Sequence, residues 1–232
     1  MIEEYKIFLK IYILYKLNIK AQGKNLPLIY ALLPDKQGPT YLRFFKLLLD
    51  GFNEDQLPKK FMHDFEKGLL NAIIECMPLV IILGCYFHFC QNLWKHMQKK
   101  GLSKPYINNI EIRKYYKYLK ALCFVPCEDV IEAFTLIQST APNSFLPMCT
   151  HLENYYIGKP KRNCPGVRAV PIYPIPMWNC YERVLNDDER TNNSVESWHK
   201  VFEACFNIHL NIHFQNYNFN LTKGRCWKTS YC

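Results

Sequence analysis

The chain has 232 residues, 49% of them hydrophobic and 15% aromatic, so it is long enough to bury a core and too apolar to be disordered throughout. Its 29 basic and 20 acidic residues give a net charge of +9, which favours a polyanionic partner such as nucleic acid. The 11 cysteines are odd in number and irregularly spaced, and Met1-Ile2-Glu3-Glu4 does not begin a signal peptide. The composition therefore argues against a secreted, disulfide-bonded protein and favours reduced thiols in the cytoplasm or nucleus.

The N-terminal part of the chain is predicted to form a β-hairpin. Residues Tyr5–Ile19 and Leu26–Leu33 are apolar and rich in β-branched or aromatic side chains, with turn residues between them. A helix over Glu4–Leu17 is the alternative, because periodicity is ambiguous in so apolar a run. Lys10 and Lys16 interrupt that run, and no membrane association is expected.

A helix is predicted after the hairpin, beginning at Pro39-Thr40-Tyr41 and ending at Asp50-Gly51. Its apolar positions recur at helical spacing and lie on one face: Tyr41, Phe44, Phe45, Leu48 and Leu49.

The stretch from Leu57 to Lys95 organises the rest of the chain. Phe61-Met62-His63 predicts a short strand ending at Asp64, followed by a helix from Phe65 to Met77. The aliphatic run Leu79–Leu83 predicts a second strand, covered on both faces, and completes a βαβ unit. The unit delivers the Asp64 carboxylate to the carboxyl edge of a sheet, where open α/β sheets bind ligands.

Beyond Ser103 the pattern changes. Residues 103–157 predict helices without strands, at Ile110–Leu122, Glu128–Gln138 and Phe145–Tyr156. Residues 158–190 form a proline-rich basic loop, 191–206 a closing helix, and 207–232 a tail without periodicity that we expect to be disordered. Residues 1–102 and the closing helix would make up the α/β core, and 103–157 a helical insertion.

Four blocks together resemble the transposase domain of Mutator-like elements (MULEs): PLIYALLPDKQGPTYLRFF, HDFEKGLLNAI, GCYFHFCQNLWK and RTNNSVESWHKVF, in that order. The resemblance spans roughly residues 10 to 206. It implies a ribonuclease H-like mixed sheet flanked by helices. It also implies a DDE-type nuclease and DNA strand transferase that uses Mg²⁺ or Mn²⁺, acts on DNA and works in the nucleus. A homo-oligomer is left open.

The resemblance also implies the site residues. Three carboxylates converge on divalent ions in such enzymes, and here Asp64 corresponds to the second and Glu196 to the third. The first belongs on the first, central strand of the sheet, yet only Glu3 and Glu4 precede Asp35. The chain is therefore expected to lack its first strand, to be truncated at its N-terminus, and to be catalytically inactive as given.

Structural roles are the alternative for the same acidic residues. Asp64 could cap the helix that follows it, and Asn193 with Glu196 matches a capping box.

Cys85-x-x-His88 opens a helix and has the spacing of a zinc-binding pair, with Cys90 and His96 nearby and Cys123 and Cys127 as a second pair. Zinc is the less favoured reading. Packing of Cys85 and Phe87 in the core, with His88 near the active-site edge, is preferred.

Two basic segments have competing interpretations. Lys159, Lys161, Arg162 and Arg168 lie either in a solvated linker or on a surface that contacts DNA phosphates. The aromatic and basic run Tyr115–Lys120 could stack on nucleic acid, but a helix with a buried aromatic face explains it better. A domesticated, non-catalytic nuclear DNA-binding or interaction protein is the alternative function.

Overall fold

The chain folds as a mixed α/β structure that is mostly helical. The structure is a computed structural model that describes residues 13–21, 24–53 and 57–191, all within a compact unit at Met1–Asn192. The predictions for Glu3 and Glu4, for Glu196 and the closing helix, and for the tail after residue 206 lie outside the described residues.

The predicted hairpin is confirmed from residue 13 onward. Strand β1 (Ile13–Ala21) pairs antiparallel with β2 (Lys24–Leu33), so a helix over residues 13–17 is excluded. The register shifts between Leu17 and Asn18, opposite Pro27. A bulge suits this position, because proline has no N–H to donate to the ladder.

The first helix, α1 (Gly38–Leu49), follows the prediction closely. Its buried residues Tyr41 and Phe45 lie on the predicted apolar face, and Pro39 occupies the first turn, where a missing N–H costs nothing. This helix packs against α2 (Lys67–Cys76), and both contribute to a core with Leu33 and Phe61.

The βαβ unit is confirmed as well. Strand β3 (Lys60–His63) pairs in parallel with β4 (Ile81–Gly84), and α2 connects them. The expectation that this second strand is covered on both faces is wrong, because Leu79 is 95% exposed and Ile81 is 56% exposed. Among the described strands β4 pairs only with β3, and its first residue stays at the surface.

The described strands form two separate pairs, β1 with β2 and β3 with β4. No hydrogen bonds join these pairs within the part of the chain that the structure describes. Among the described residues, the mixed sheet implied by the family resemblance is therefore present only as two separate ladders.

Residues 103–157 form helices without strands, as predicted. Helix α3 (Tyr86–Lys99) follows β4, and α4 (Ser103–Asn108), which contains Pro105, was not predicted. The remaining helices are α5 (Ile110–Ala121), α6 (Val130–Thr140) and α7 (Leu146–Leu152), with short turns of 3₁₀ or π helix at 122–124, 143–145 and 153–157. No helix among the described residues is both long and apolar enough to cross a bilayer.

Helix α5 supports the structural interpretation of its aromatic and basic run. Tyr115, Tyr116 and Leu119 are buried, whereas Lys114 and Lys117 lie on the solvent side of the helix. The ammonium group of Lys114 lies 5.6 Å from the centre of the Tyr118 ring.

The proline-rich segment is more than a solvated linker. Its second half buries Tyr173, Met177 and Trp178 and contains two short helices, α8 (Ile175–Trp178) and α9 (Tyr181–Leu185). The Trp178 indole stacks on Phe89 of α3 at 5.3 Å and donates a hydrogen bond to the Tyr156 carbonyl oxygen. Aromatic burial therefore fastens this segment to the helical core, and prolines restrict its backbone between the contacts.

A histidine pair lies where α3 packs against α7. The rings of His96 and His151 stack at 3.8 Å, and His96 Nε2 is buried with no hydrogen-bond partner among the described groups. Burial lowers the pKa of His151 from 6.5 to about 4, with His96 and Lys100 adding to the effect. Both rings are therefore packed in the neutral form at neutral pH.

We predict that Gly158→Ala destabilises the fold by at least about 2 kcal/mol. Gly158 has φ of 93°, and a methyl group there would overlap the Ala169 carbonyl oxygen. Gly166→Ala is the matched control, because Gly166 also has a positive φ of 78° but open space around it, and it should cost about 1 kcal/mol. Urea unfolding followed by circular dichroism measures both. Equal losses would contradict the steric argument.

We also predict that His151→Phe flattens the pH dependence of stability. The folded-state pKa of His151 lies below its unfolded value, so the unfolded chain binds the proton first and stability falls as pH drops from 6.5 towards 4. The half-buried ring should account for about 1–2 kcal/mol of that loss. Urea unfolding at pH 7.5, 5.5 and 4.5 tests this. Parallel profiles for the two proteins would refute it.

Candidate functional site

The site lies at the carboxyl edge of the β3–β4 ladder. The two strands run parallel with His63 opposite Gly84, and the Cys85 N–H donates to the His63 carbonyl oxygen at 2.9 Å. Asp64 and Cys85 therefore begin the two connections that leave this edge. Parallel pairing thus brings together Asp64 and the start of the Cys85-x-x-His88 motif, as the sequence predicts.

A tight turn at Phe65 follows the strand. Phe65 has φ of 65°, a left-handed conformation that bulky residues rarely adopt. Its N–H donates to His63 Nδ1 at 3.1 Å, and its carbonyl oxygen accepts a hydrogen bond from the Tyr173 hydroxyl at 2.6 Å. The Phe65 ring is buried against Tyr173 and Tyr156. These contacts hold the backbone on both sides of Phe65, at Asp64 and at Glu66.

His63 is a structural member of the site. Burial lowers its pKa from 6.5 to about 4, Asp64 opposes that shift and His88 adds to it, so the ring is neutral near pH 7. Because Nδ1 accepts the Phe65 N–H, the proton belongs on Nε2, which lies 3.3 Å from Met177 Sδ. Neither ring nitrogen is left to bind a metal ion.

Two carboxylate oxygens at the turn have no hydrogen-bond partner among the described residues. Asp64 Oδ1 and Glu66 Oε1 are both buried without a donor in the described part of the protein. Burial raises the pKa of the Tyr173 hydroxyl, and the charges of Asp64 and then Glu66 raise it further, so both carboxylates lie within electrostatic reach of one group. Buried carboxylate oxygens are costly without a donor or a cation.

Asp64 does not cap α2. The N-cap residue is Glu66, and its side chain makes no capping hydrogen bond. The helix begins at Lys67 rather than at Phe65, because Phe65 takes the left-handed conformation. The capping interpretation of Asp64 is therefore wrong.

Cys85 and His88 form the start of α3. Cys85 is fully buried at the N-cap position, in agreement with the packing interpretation, but Phe87 is 39% exposed and does not belong to the core. Phe89 takes that place, since it lies one helical turn after Cys85. Across the residues that the structure describes, no three His, Cys, Asp or Glu side chains are grouped to hold a metal ion.

The basic residues of the loop fall into two groups. Lys159, Lys161 and Arg162 are exposed. Arg168, by contrast, forms a partly buried ion pair with Glu153 at 2.9 Å and donates to the Gly158 carbonyl oxygen at 2.7 Å. It anchors a small hairpin, with a bridge between Pro160 and Arg168, that presents the three exposed cations.

Sequence reasoning missed four residues at this edge: His63, Glu66, Tyr173 and Arg183. The buried Arg183 guanidinium donates to the Gly84 carbonyl oxygen at 3.0 Å and to the Asn179 carbonyl oxygen at 2.8 Å, which fastens α9 to the end of β4. The apolar and aromatic residues between the prolines of 171–178 were the available signal, since a solvated linker would not need them.

Comparison with known families agrees with the motifs. The model of the MULE transposase domain matches residues 7–92, which include Asp64, Cys85 and His88, whereas Glu196, the helical block and the basic loop lie outside the match. No curated protein and no solved structure matches the chain. Residues 7–92 therefore match the MULE transposase domain, in agreement with the resemblance of the motifs in that part of the chain.

Proposed function

We propose that this chain is a fragment of a DDE-type DNA transposase that binds a divalent metal ion at Asp64 and DNA at its basic loop, without catalysing strand transfer by itself. The observation that carries the proposal is Asp64, which follows a parallel strand within the MULE match and has a buried, unpartnered oxygen in the described part of the protein. Such an oxygen fits a hard cation, because Mg²⁺ and Mn²⁺ prefer carboxylate ligands.

A ribonuclease H-like core is part of the proposal. The antiparallel pair β1–β2 and the parallel unit β3–α2–β4 support it, because a ribonuclease H-like sheet combines both kinds of pairing. In such a sheet the first strand lies centrally. This central strand is not among the described residues. Its two neighbours therefore have no shared partner there, which explains why the described strands form two separate pairs.

The metal ion would be held by Asp64. Glu196, which the resemblance also implies as a ligand, lies outside the described residues. The chemistry that such an ion would supply when bound is activation of the attacking water or hydroxyl and stabilisation of the leaving oxygen of a phosphodiester. The protein's own contribution is to orient Asp64 through the turn at Phe65, which Tyr173 and His63 hold in place. With two of the three expected carboxylates in this sequence, we expect no strand transfer.

DNA binding is proposed for the exposed cations Lys159, Lys161 and Arg162. They project from a loop whose base is fixed by the Arg168–Glu153 ion pair, so phosphate contacts would not require the loop to order first. Contacts of this kind carry no base specificity. We expect DNA binding that weakens as the salt concentration rises, and we expect the protein to act in the nucleus. The alternative, a domesticated and non-catalytic DNA-binding protein, would show the same behaviour.

We predict that Mn²⁺ stabilises the chain and that Asp64→Asn removes this effect. An ion at about 100 times its dissociation constant contributes about 2.7 kcal/mol, which in a chain of this size raises the melting temperature by roughly 2–4 °C for each kcal/mol. Asp50→Asn, at the exposed end of α1, is the control and should respond like the parent. Thermal melts with and without 10 mM Mn²⁺ give the comparison.

The same proteins test catalysis. No metal-dependent cleavage or joining of DNA is expected from any of them. Turnover by the parent chain that disappears in Asp64→Asn would overturn the assignment of an inactive chain. If Mn²⁺ does not change the melting temperature of the parent chain, the proposed metal site at Asp64 is wrong.

We predict that replacing Lys159, Lys161 and Arg162 with glutamine weakens duplex binding and lowers its salt dependence. The slope of log K against log salt should fall by about 0.9 for each phosphate that is no longer neutralised. Replacing Lys114, Lys117 and Lys120 of α5 removes the same charge from another face and is the control. Fluorescence anisotropy of a labelled duplex between 50 and 200 mM salt measures the slopes. A larger loss of affinity in the α5 variant would move the DNA surface to that helix.

A further inference from the structure

Glu66 stands beside Asp64 in a position that the family assignment leaves without a role. The two carboxylates flank Phe65, whose left-handed backbone is held by hydrogen bonds on both sides. Glu66 Oε1, like Asp64 Oδ1, is buried with no donor among the described residues. Two anionic oxygens have therefore been taken out of water at the same turn without compensation from the described protein groups.

Neither Tyr173 nor Lys36 satisfies these two oxygens. The Tyr173 hydroxyl proton is committed to the Phe65 carbonyl oxygen, so it is not available to either carboxylate. Lys36 approaches only the other oxygen of Glu66, Oε2, at 3.6 Å, and its side chain is 56% exposed. An ion pair this exposed contributes little, and it leaves Oε1 unpartnered.

We propose that Glu66 is an additional carboxylate ligand of the divalent metal ion that Asp64 binds. This inference rests on the proposed function, since it presumes a cation at Asp64. It would supply a second carboxylate from the described part of the chain, two residues after the first and on the same rigid turn. The proposal also predicts an effect of Lys36: its ammonium, 3.6 Å from Oε2, disfavours a second cation at the same carboxylate.

The test is a Mn²⁺ titration of the full 232-residue chain, with free Mn²⁺ followed by electron paramagnetic resonance. Glu66→Gln keeps the shape of the side chain and removes its charge, and we expect it to weaken Mn²⁺ binding at least tenfold, since even outer-shell partners of a metal site contribute about 10- to 100-fold. Asp64→Asn should abolish binding. Lys36→Met should tighten it by about two- to fivefold, because a competing exposed charge is removed.

Glu75→Gln is the matched control. Glu75 lies on α2, close in sequence to Glu66, and also pairs with a lysine from the region of α1, Lys46, at 3.4 Å, but this pair is exposed on both sides. Its loss should leave Mn²⁺ affinity unchanged. Metal-free melting temperatures check folding, and that of Glu66→Gln should not fall, because the variant neutralises a carboxylate whose buried oxygen has no partner in the described protein.

The outcomes separate this inference from the proposed function. Loss of binding in Asp64→Asn with unchanged affinity in Glu66→Gln would sink the role of Glu66 and leave the metal site at Asp64 standing. Equal weakening in Glu75→Gln would attribute the effect to general surface charge and also refute it. Absence of Mn²⁺ binding by the parent chain would reject both.

Discussion

The interaction on which the site depends is the burial of the Phe65 ring. Phe65 adopts a left-handed backbone that is unfavourable for a bulky residue, and the aromatic rings of Tyr156, Tyr173 and Phe89 surround it. The opposite side is closed by Gly84, where a Cβ atom would overlap the ring. Aromatic packing therefore offsets a local backbone cost of about 1–3 kcal/mol. As a result, the residues before and after Phe65 are held in fixed places.

The turn at Phe65 also lies between two hydrophobic cores. Phe61 on β3 belongs to the core formed by α1 and α2, whereas Phe65, just past the end of the same strand, belongs to the larger core of α3 to α8. The carboxyl edge of the β3–β4 ladder is thus enclosed by the helical block and by the proline-rich segment. Tyr173 and Arg183 reach the edge from that segment, through the carbonyl oxygens of Phe65 and Gly84. A region outside the family match therefore completes the surroundings of Asp64.

Charge is distributed in a way that suits a transposase lineage. Carboxylates lie at the enclosed sheet edge, where a cation would satisfy the oxygens that have no partner among the described residues. Exposed cations lie on the loop that Arg168 anchors to Glu153. Arg168 therefore stabilises the basic loop instead of extending into solvent. Sequence alone could not separate Arg168 from Lys159 or Arg162, because the difference lies in a partner 15 residues away.

The sequence by itself determined the order and type of most local elements, although not the short helices α4, α8 and α9. Turn residues, helical periodicity and the aliphatic run predicted the hairpin, α1, the βαβ unit and the helical block. The motifs predicted a resemblance to the MULE transposase domain over roughly residues 10 to 206, and the family model matches residues 7–92 of that range. Only the tertiary structure decided the start of α2 at Lys67, the exposure of Ile81 and Phe87, and the burial of Tyr173 and Trp178. Local sequence patterns predict short-range hydrogen bonding and amphipathic faces. The turn at Phe65 and the carboxylate pair at its ends depend on residues more than a hundred positions away, which no local pattern reports.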